Sequence, residues 1–378
     1  MKRIVIVGTG LAGYTVAREI RKLDSAAQLT LLTADDGGFY SKPMLSNAFA
    51  QGKTAETLVN FRVEQMASQL KADIRPNTIV AAIDPANHVV RWADGEISYD
   101  KLVLALGARP IRLPFEGSAA QSVLSVNNLR DYAEFRGAVA NVNRILLIGG
   151  GLIGCEFAND LLKGGFSVTL IHRGAALLDA LAPAIVGEGL RAKLTAAGVS
   201  IETGASVTHI DTAESGELIA RLADGREFET PCILSAIGLT PATNMASEAG
   251  LKVKRGIVTD RYLATSHPDI FALGDCAEMD GVWLPYVMPI MNQARALAKT
   301  LHGENTPVSY PVMPVIVKTP LFPVAVVPPP AVSGAWQSQS DADGAKALFY
   351  DSDKRLRGFA LGGHFTSEKA TLSKEVIL

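Results

Sequence analysis

Six glycines carry the first chemistry legible in this chain. Gly8, Gly10 and Gly13 follow the apolar run Ile4–Val7, and Gly149, Gly151 and Gly154 follow a second run ending at Ile148. In each set the first glycine permits a tight turn, the second lets backbone approach an anion, and the third lets a helix pack closely. A pyrophosphate would rest on that helix's N-terminus, where free N–H groups and the dipole attract negative charge. Each G-x-G-x-x-G sits between a strand-like run and a helix-like pattern, such as Tyr14, Ala17 and Ile20 in the first copy. Two complete copies imply two dinucleotides held by one chain, and a flavin with a nicotinamide is the economical pair.

Other polar residues stand where such ligands would need them. The next strand, QLTLLT (28–33), runs into Ala34 and Asp35, about 20 residues past the first fingerprint, where an acid binds a ribose hydroxyl. Asp35 is the candidate; a solvated turn aspartate is the plainer reading. After the second copy the strand ends in His172-Arg173. An acid there would favour NADH, and an arginine would hold the 2′-phosphate of NADPH. Both residues are equally readable as merely exposed, so the nicotinamide preference stays open. In TSHPDIFALGDCAE, Gly274-Asp275 ends a short strand; the carboxylate either caps a following helix or meets a polyol hydroxyl. In YSKPMLS, Pro43 biases Lys42 toward extended backbone, leaving an ordinary surface lysine or a fixed charge against a cofactor.

The elements that must position these residues are patterned around them. KLVLALGARP and ILSAIGLTPAT are apolar strands that end at Gly107 and Gly238 and then pass on through a proline. Ala93-Asp94-Gly95 and Ala223-Asp224-Gly225 read as hairpin turns, so each fingerprint unit is followed by a β-rich insertion and a closing strand. A chain of 378 residues, 48% hydrophobic and 20% charged, suits two or three globular domains. Its formal charge of −2 gives no electrostatic case for nucleic acid or an anionic membrane. Cys155, Cys232 and Cys276 are the three cysteines, with no C-x-x-C pair and no metal site suggested. Cys155 and Cys276 read as packing residues, and the odd, sparse count suits a reducing compartment. The apolar run near the start is too short for a signal peptide, and no stretch reaches the ~18 apolar residues of a span. A cytoplasmic protein is expected.

The chain resembles the pyridine-nucleotide-disulfide-type FAD oxidoreductases along essentially its whole length. GTGLAG, ALGARP, GGGLIGCE, AIGLTP and IFALGDCAE occur in that family's order. Within it, YSKPMLS, CEFANDL, YVMPIM and VKTPLFP most resemble bacterial rubredoxin reductases, with flavorubredoxin reductases close behind. The resemblance implies an α/β fold of two Rossmann-like dinucleotide-binding domains, one inserted in the other as in glutathione reductase, plus a small C-terminal α+β domain. It implies an FAD domain over 1–112 and 240–315, an NAD(P)H domain over 113–239, and the C-terminal domain over 316–378.

By the same resemblance, Thr9, Gly10, Leu11 and Ala12 lie along the FAD pyrophosphate, Thr33-Ala34 near the adenosine ribose, and Val80 against adenine. Asp275 binds the ribityl chain and Val287 approaches the flavin ring. Lys42 and Glu156 act at the flavin, with Glu156 keeping Lys42 protonated and oriented, and Lys318 is a second lysine there. The family's redox cysteine pair is missing, so hydride from NADH (or NADPH) can reach only the flavin, which passes single electrons to an acidic carrier, rubredoxin. Lys42, Lys318 and Arg295 would form the rim that steers it. A monomer or weak dimer is expected, and the pathway served, alkane hydroxylation or detoxification of oxygen and nitric oxide, stays open. The rival readings are reduction of flavorubredoxin or of a ferredoxin feeding an oxygenase, and a flavin-binding redox sensor that turns nothing over.

Overall fold

The computed structural model describes residues 2–377. The chain is divided into two units and passes between them at 42/43, 56/57, 109/110, 238/239 and 311/312. Unit 1 holds the segment ending at Lys42 with 57–109 and 239–311; unit 2 holds 43–56, 110–238 and the chain from Val312 onward.

In unit 1, β1 (Arg3–Val7) is buried from Ile4 to Val7, so its four apolar residues run without alternation, as a parallel strand covered on both faces requires. It leads into α1 (Leu11–Leu23), then β2 (Gln28–Leu32), β3 (Asp73–Arg75) and β4 (Lys101–Leu104). The sheet is parallel, in the order Ile270–Ala272, β4, β1, β2, β3. Tyr14, Ala17 and Ile20 lie on the buried face of α1 and share a core with Ala294, Leu297 and Leu301 of the helix Val287–His302. The Ala93-Asp94 turn closes a hairpin of Val89–Trp92 with Gly95–Ser98, which extends Val80–Asp84.

Unit 2 repeats the plan. β5 (Arg144–Ile148), α2 (Leu152–Lys163), β6 (Ser167–His172), β7 (Ser200–Thr203) and β8 (Ile233–Ser235) give a parallel sheet in the order β7, β6, β5, β8. β5 pairs with β6 from Arg144↔Ser167 to Ile148↔Ile171, as β1 pairs with β2 from Arg3↔Gln28 to Val7↔Leu32. The same unit carries an antiparallel sheet of β9 (Val315–Val317), β10 (Val324–Val327), β11 (Gly334–Ser340), β12 (Gly344–Asp351) and β13 (Leu356–Gly363), ordered β9, β10, β13, β12, β11. Leu372 of the helix Lys369–Glu375 packs on Phe359, Leu361 and Phe365, the core of this α+β portion. No helix among the described residues is long and apolar enough to cross a membrane.

Candidate functional site

Unit 1 gathers the first set of residues. Gly8 has φ +107°, a left-handed value that glycine adopts without strain. A Cβ on Gly13 would overlap the Gly8 carbonyl oxygen, so helix and turn touch because neither residue has a side chain. A Cβ on Gly10 would meet nothing within 4 Å, and Gly10 caps α1 with no side-chain hydrogen bond and no acid in the first turn. An uncapped helix N-terminus beneath open space is the donor set a pyrophosphate needs. Gly274, at φ +75°, approaches the same turn: a Cβ there would lie 2.8 Å from the Ala12 methyl carbon.

The polar residues of unit 1 are anchored rather than loose. Asp35 is exposed, yet its Oδ1 accepts from Thr33 Oγ1 at 2.6 Å, the Gly37 N–H at 3.0 Å and Thr9 Oγ1 at 3.3 Å. That leaves Oδ2 for a ribose hydroxyl. Val80 is buried and opens the strand Val80–Asp84. Burial pushes the Asp275 carboxyl up, and the Lys42 ammonium pulls it partly back. Gly274–Cys276 is a single 3-10 turn that runs into the strand Ala277–Met279, so Asp275 caps no following α-helix. Val287 is the first residue of the helix Val287–His302 and is exposed. These residues fit FAD: a phosphate cradle, a ribose acceptor and a deep-set carboxylate for the ribityl hydroxyls.

Lys42 departs from the extended backbone expected of it. It opens a one-turn 3-10 helix, Lys42–Met44; proline is tolerated in such a first turn because its missing N–H has no partner to lose there.

Unit 2 gathers the second set. Gly149 has φ +110°, a Cβ on Gly154 would overlap the Gly149 carbonyl oxygen, and Gly151 caps α2 without a side chain and with open space above. The cradle of unit 1 recurs, and it fits a second dinucleotide. Glu156, two residues on, is fully buried. Its carboxylate accepts from Ser46 Oγ, from Asn47 Nδ2 at 3.2 Å, from the Lys318 N–H at 2.8 Å and from Lys318 Nζ at 3.0 Å. Lys318 Nζ also donates to the Pro43 carbonyl oxygen. Within unit 2, the ammonium that Glu156 holds is that of Lys318. The next polar residues on α2 extend the pattern. Asn159 accepts from the Leu321 N–H at 3.2 Å, and Asp160 from the N–H groups of Phe49 at 2.8 Å and Ala50 at 3.2 Å. Ser46 and Asn47, part of this network, went unforeseen; their only signal is that they follow the K-P pair.

At the end of β6, His172 and Arg173 part company. Arg173 is exposed, but His172 is buried, against the reading of both as surface residues. Gly107 and Gly238, at φ +69° and +118°, lie where the chain leaves unit 1 and unit 2 respectively. The three thiols are free and buried. Burial pushes Cys276 up to about 12 and Cys232 to about 11, and Cys155 higher still.

Residues 2–299 match the Pyridine nucleotide-disulphide oxidoreductase family. The chain belongs to that family. A second match, to the Rubredoxin binding C-terminal domain, spans residues 307–376. Among curated oxidoreductases, the chain is 48% identical to the Rubredoxin-NAD(+) reductase of Alcanivorax borkumensis, covering 100% of this chain and 99% of the relative. Identity to the Rubredoxin-NAD(+) reductase of Acinetobacter baylyi is 43%, covering 100% and 98%. Among solved structures, the putidaredoxin reductase–putidaredoxin covalent complex matches with TM-score 0.88 at 27% identity, covering 99% of this chain and 93% of that one.

Proposed function

We propose that this chain is an FAD-dependent reductase that takes electrons from NADH and delivers them to rubredoxin without a redox disulfide. The observation that carries the last clause is the state of the cysteines. All three are buried, unpaired and held as thiols far above neutral pH, and only thiolates take part in disulfide exchange. When bound, FAD supplies two-electron acceptance and one-electron release. The family membership, the full-length relatives and the match over residues 307–376 support NADH as donor and rubredoxin as acceptor.

The chain's own residues have separable tasks in this reading. Residues 1–112 and 240–315 hold FAD, 113–239 hold the nicotinamide nucleotide, and 316–378 complete the carrier side. Backbone N–H groups from Thr9 to Ala12 bind the pyrophosphate, Asp35 the adenosine ribose and Asp275 the ribityl hydroxyls. Lys42 places positive charge beside Asp275 and favours extra negative charge nearby. Glu156 is a positioning residue: it fixes Lys318 and the Ser46 hydroxyl, and through the Lys318 ammonium the Pro43 carbonyl. Three unpaired thiols suit a reducing compartment, the cytoplasm.

Alkylation of the native, FAD-loaded protein tests the thiol-free route. Iodoacetamide should leave all three cysteines unmodified and NADH-driven rubredoxin reduction at its starting rate, while urea-unfolded protein takes up three labels. Stoichiometric labelling of a folded cysteine with loss of turnover would overturn that route, and preferential reduction of a ferredoxin would reassign the carrier.

A further inference from the structure

The strand β6 ends at His172 and is followed by Arg173, with no acid where one would take the adenosine ribose of NADH. The fold returns an acid from farther along. The Gly150 N–H donates to His172 Nδ1 at 3.1 Å, so the neutral ring carries its proton on Nε2. His172 is 7% exposed, and its Nε2 has no aligned hydrogen-bond acceptor among the described residues. It nevertheless lies 3.2 Å from Asp179 Oδ1, so the buried nitrogen faces a carboxylate that is itself half in solvent.

The loop 173–182 is shaped to keep that carboxylate in place. Leu178 sits at φ +58°, in the left-handed region, which bulky residues occupy only when their surroundings hold them there. Its side chain is buried, and its N–H donates to the Gly150 carbonyl oxygen at 2.9 Å. Gly150, the middle residue of the GGG turn, thus gives one hydrogen bond to His172 and accepts one from the residue before Asp179. Gly174 completes the arrangement: a Cβ there would overlap Asp179 Oδ2 and lie 2.7 Å from His172 Nε2. The glycine turn, the strand end and the returning loop form one connected structure with an exposed carboxylate at its edge.

We propose that Asp179, positioned by His172, is the residue that selects NADH over NADPH. Its carboxylate accepts from a ribose hydroxyl and repels a 2′-phosphate, and the exposed Arg173 does not decide the matter. The proposal rests on reading the Gly149–Gly154 turn as the nicotinamide-nucleotide site.

Steady-state rates with NADH and with NADPH, on FAD-loaded protein with rubredoxin as acceptor, test it. The ratio of the two kcat/KM values should fall at least tenfold in Asp179→Asn, chiefly through a lower KM for NADPH. In the same variant 2′,5′-ADP should compete against NADH more strongly relative to 5′-AMP than it does in the parent. His172→Gln retains an acceptor for Gly150 and a donor for Asp179, so it should keep most of the preference that His172→Ala loses. A ratio within twofold of the parent in Asp179→Asn, with 5′-AMP still competing against NADH, would overturn Asp179 as the selector. If neither nucleotide competed with NADH in the parent protein, the reading of the glycine turn would fall, and this proposal with it.

Discussion

The two glycine cradles are near copies, yet the helices behind them carry opposite loads. Gly8 and Gly149 share a left-handed turn, and Gly13 and Gly154 each press a helix against a carbonyl. Behind the first turn, α1 buries an apolar face, and the residue two beyond its last fingerprint glycine is Thr15. Behind the second, α2 places Glu156 at the matching position, then Asn159 and Asp160, all buried and all bonded to distant segments of unit 2. Buried charge costs stability unless fully partnered. A phosphate cradle needs only glycines and a free helix end, which both units have. The extra polar face of α2 serves something else: it fixes the segments 43–50 and 318–321, on which Ser46 and Lys318 ride.

The largest expected contrast comes from closing each cradle in turn. Gly13→Val should abolish FAD retention and activity, because the new side chain drives α1 off the Gly8 carbonyl. Gly154→Val should leave the flavin absorbance in place and remove reduction by NADH, while dithionite still bleaches it. Loss of FAD from both variants alike would erase the division of labour between the units.

A smaller effect should separate the helices themselves. Glu156→Ala strands the Lys318 ammonium, the Lys318 N–H and the Ser46 hydroxyl, and should cost about 3 kcal/mol in urea denaturation, the low end for a broken buried pair. Thr15→Ala, at the matching place on α1, should cost about 1 kcal/mol or less. Equal losses would show that the buried acid is structurally unremarkable.

The smallest effect is a pH slope carried by buried carboxyls. Because burial raises the Asp275 carboxyl, the folded apo-protein binds that proton more tightly than the unfolded chain does. Stability from this group is therefore lost as pH rises from the ordinary carboxylate value through the raised one, and is level above it. Asp275→Asn should flatten that slope in the FAD-free protein and raise its neutral-pH melting temperature slightly, while weakening FAD retention. Asp160 in unit 2 is also raised by burial and adds a slope of the same sign. Each of its oxygens accepts from a backbone N–H, however, so Asp160→Asn sets an NH2 against one of those donors and should lower the melting temperature instead. The same sign of change in both variants would remove this distinction.

The sequence is a good witness to what is local and a poor one to what is not. Fingerprint glycines report the conformation of their own backbone, so both cradles could be placed from spacing alone, and the unbroken apolar runs at Ile4–Val7 and Ile145–Ile148 marked the parallel strands. Glu156 could be singled out only through the family resemblance, and its partners come from residues 46 and 318, which no local window joins to it. Lys42 was misjudged in conformation because the rule for a residue before proline describes average backbone, and a one-turn 3-10 start is an exception it admits. Asp179 left no trace, since the loop that returns it turns at a leucine, where a glycine or asparagine would have advertised the bend.

The order of strands in unit 1 also bears on how the protein is made. Its sheet has β1 near the middle, but its last strand, Ile270–Ala272, leaves the ribosome only after most of unit 2 has been synthesised. At ~5–20 residues per second, β1 waits on the order of tens of seconds for the edge that completes its sheet. Throughout that interval the exposed side of β4 is an open strand edge in a crowded cell, a setting in which unpaired edges invite aggregation. Inserting one nucleotide-binding fold within another thus leaves a central sheet incomplete for most of the chain's synthesis.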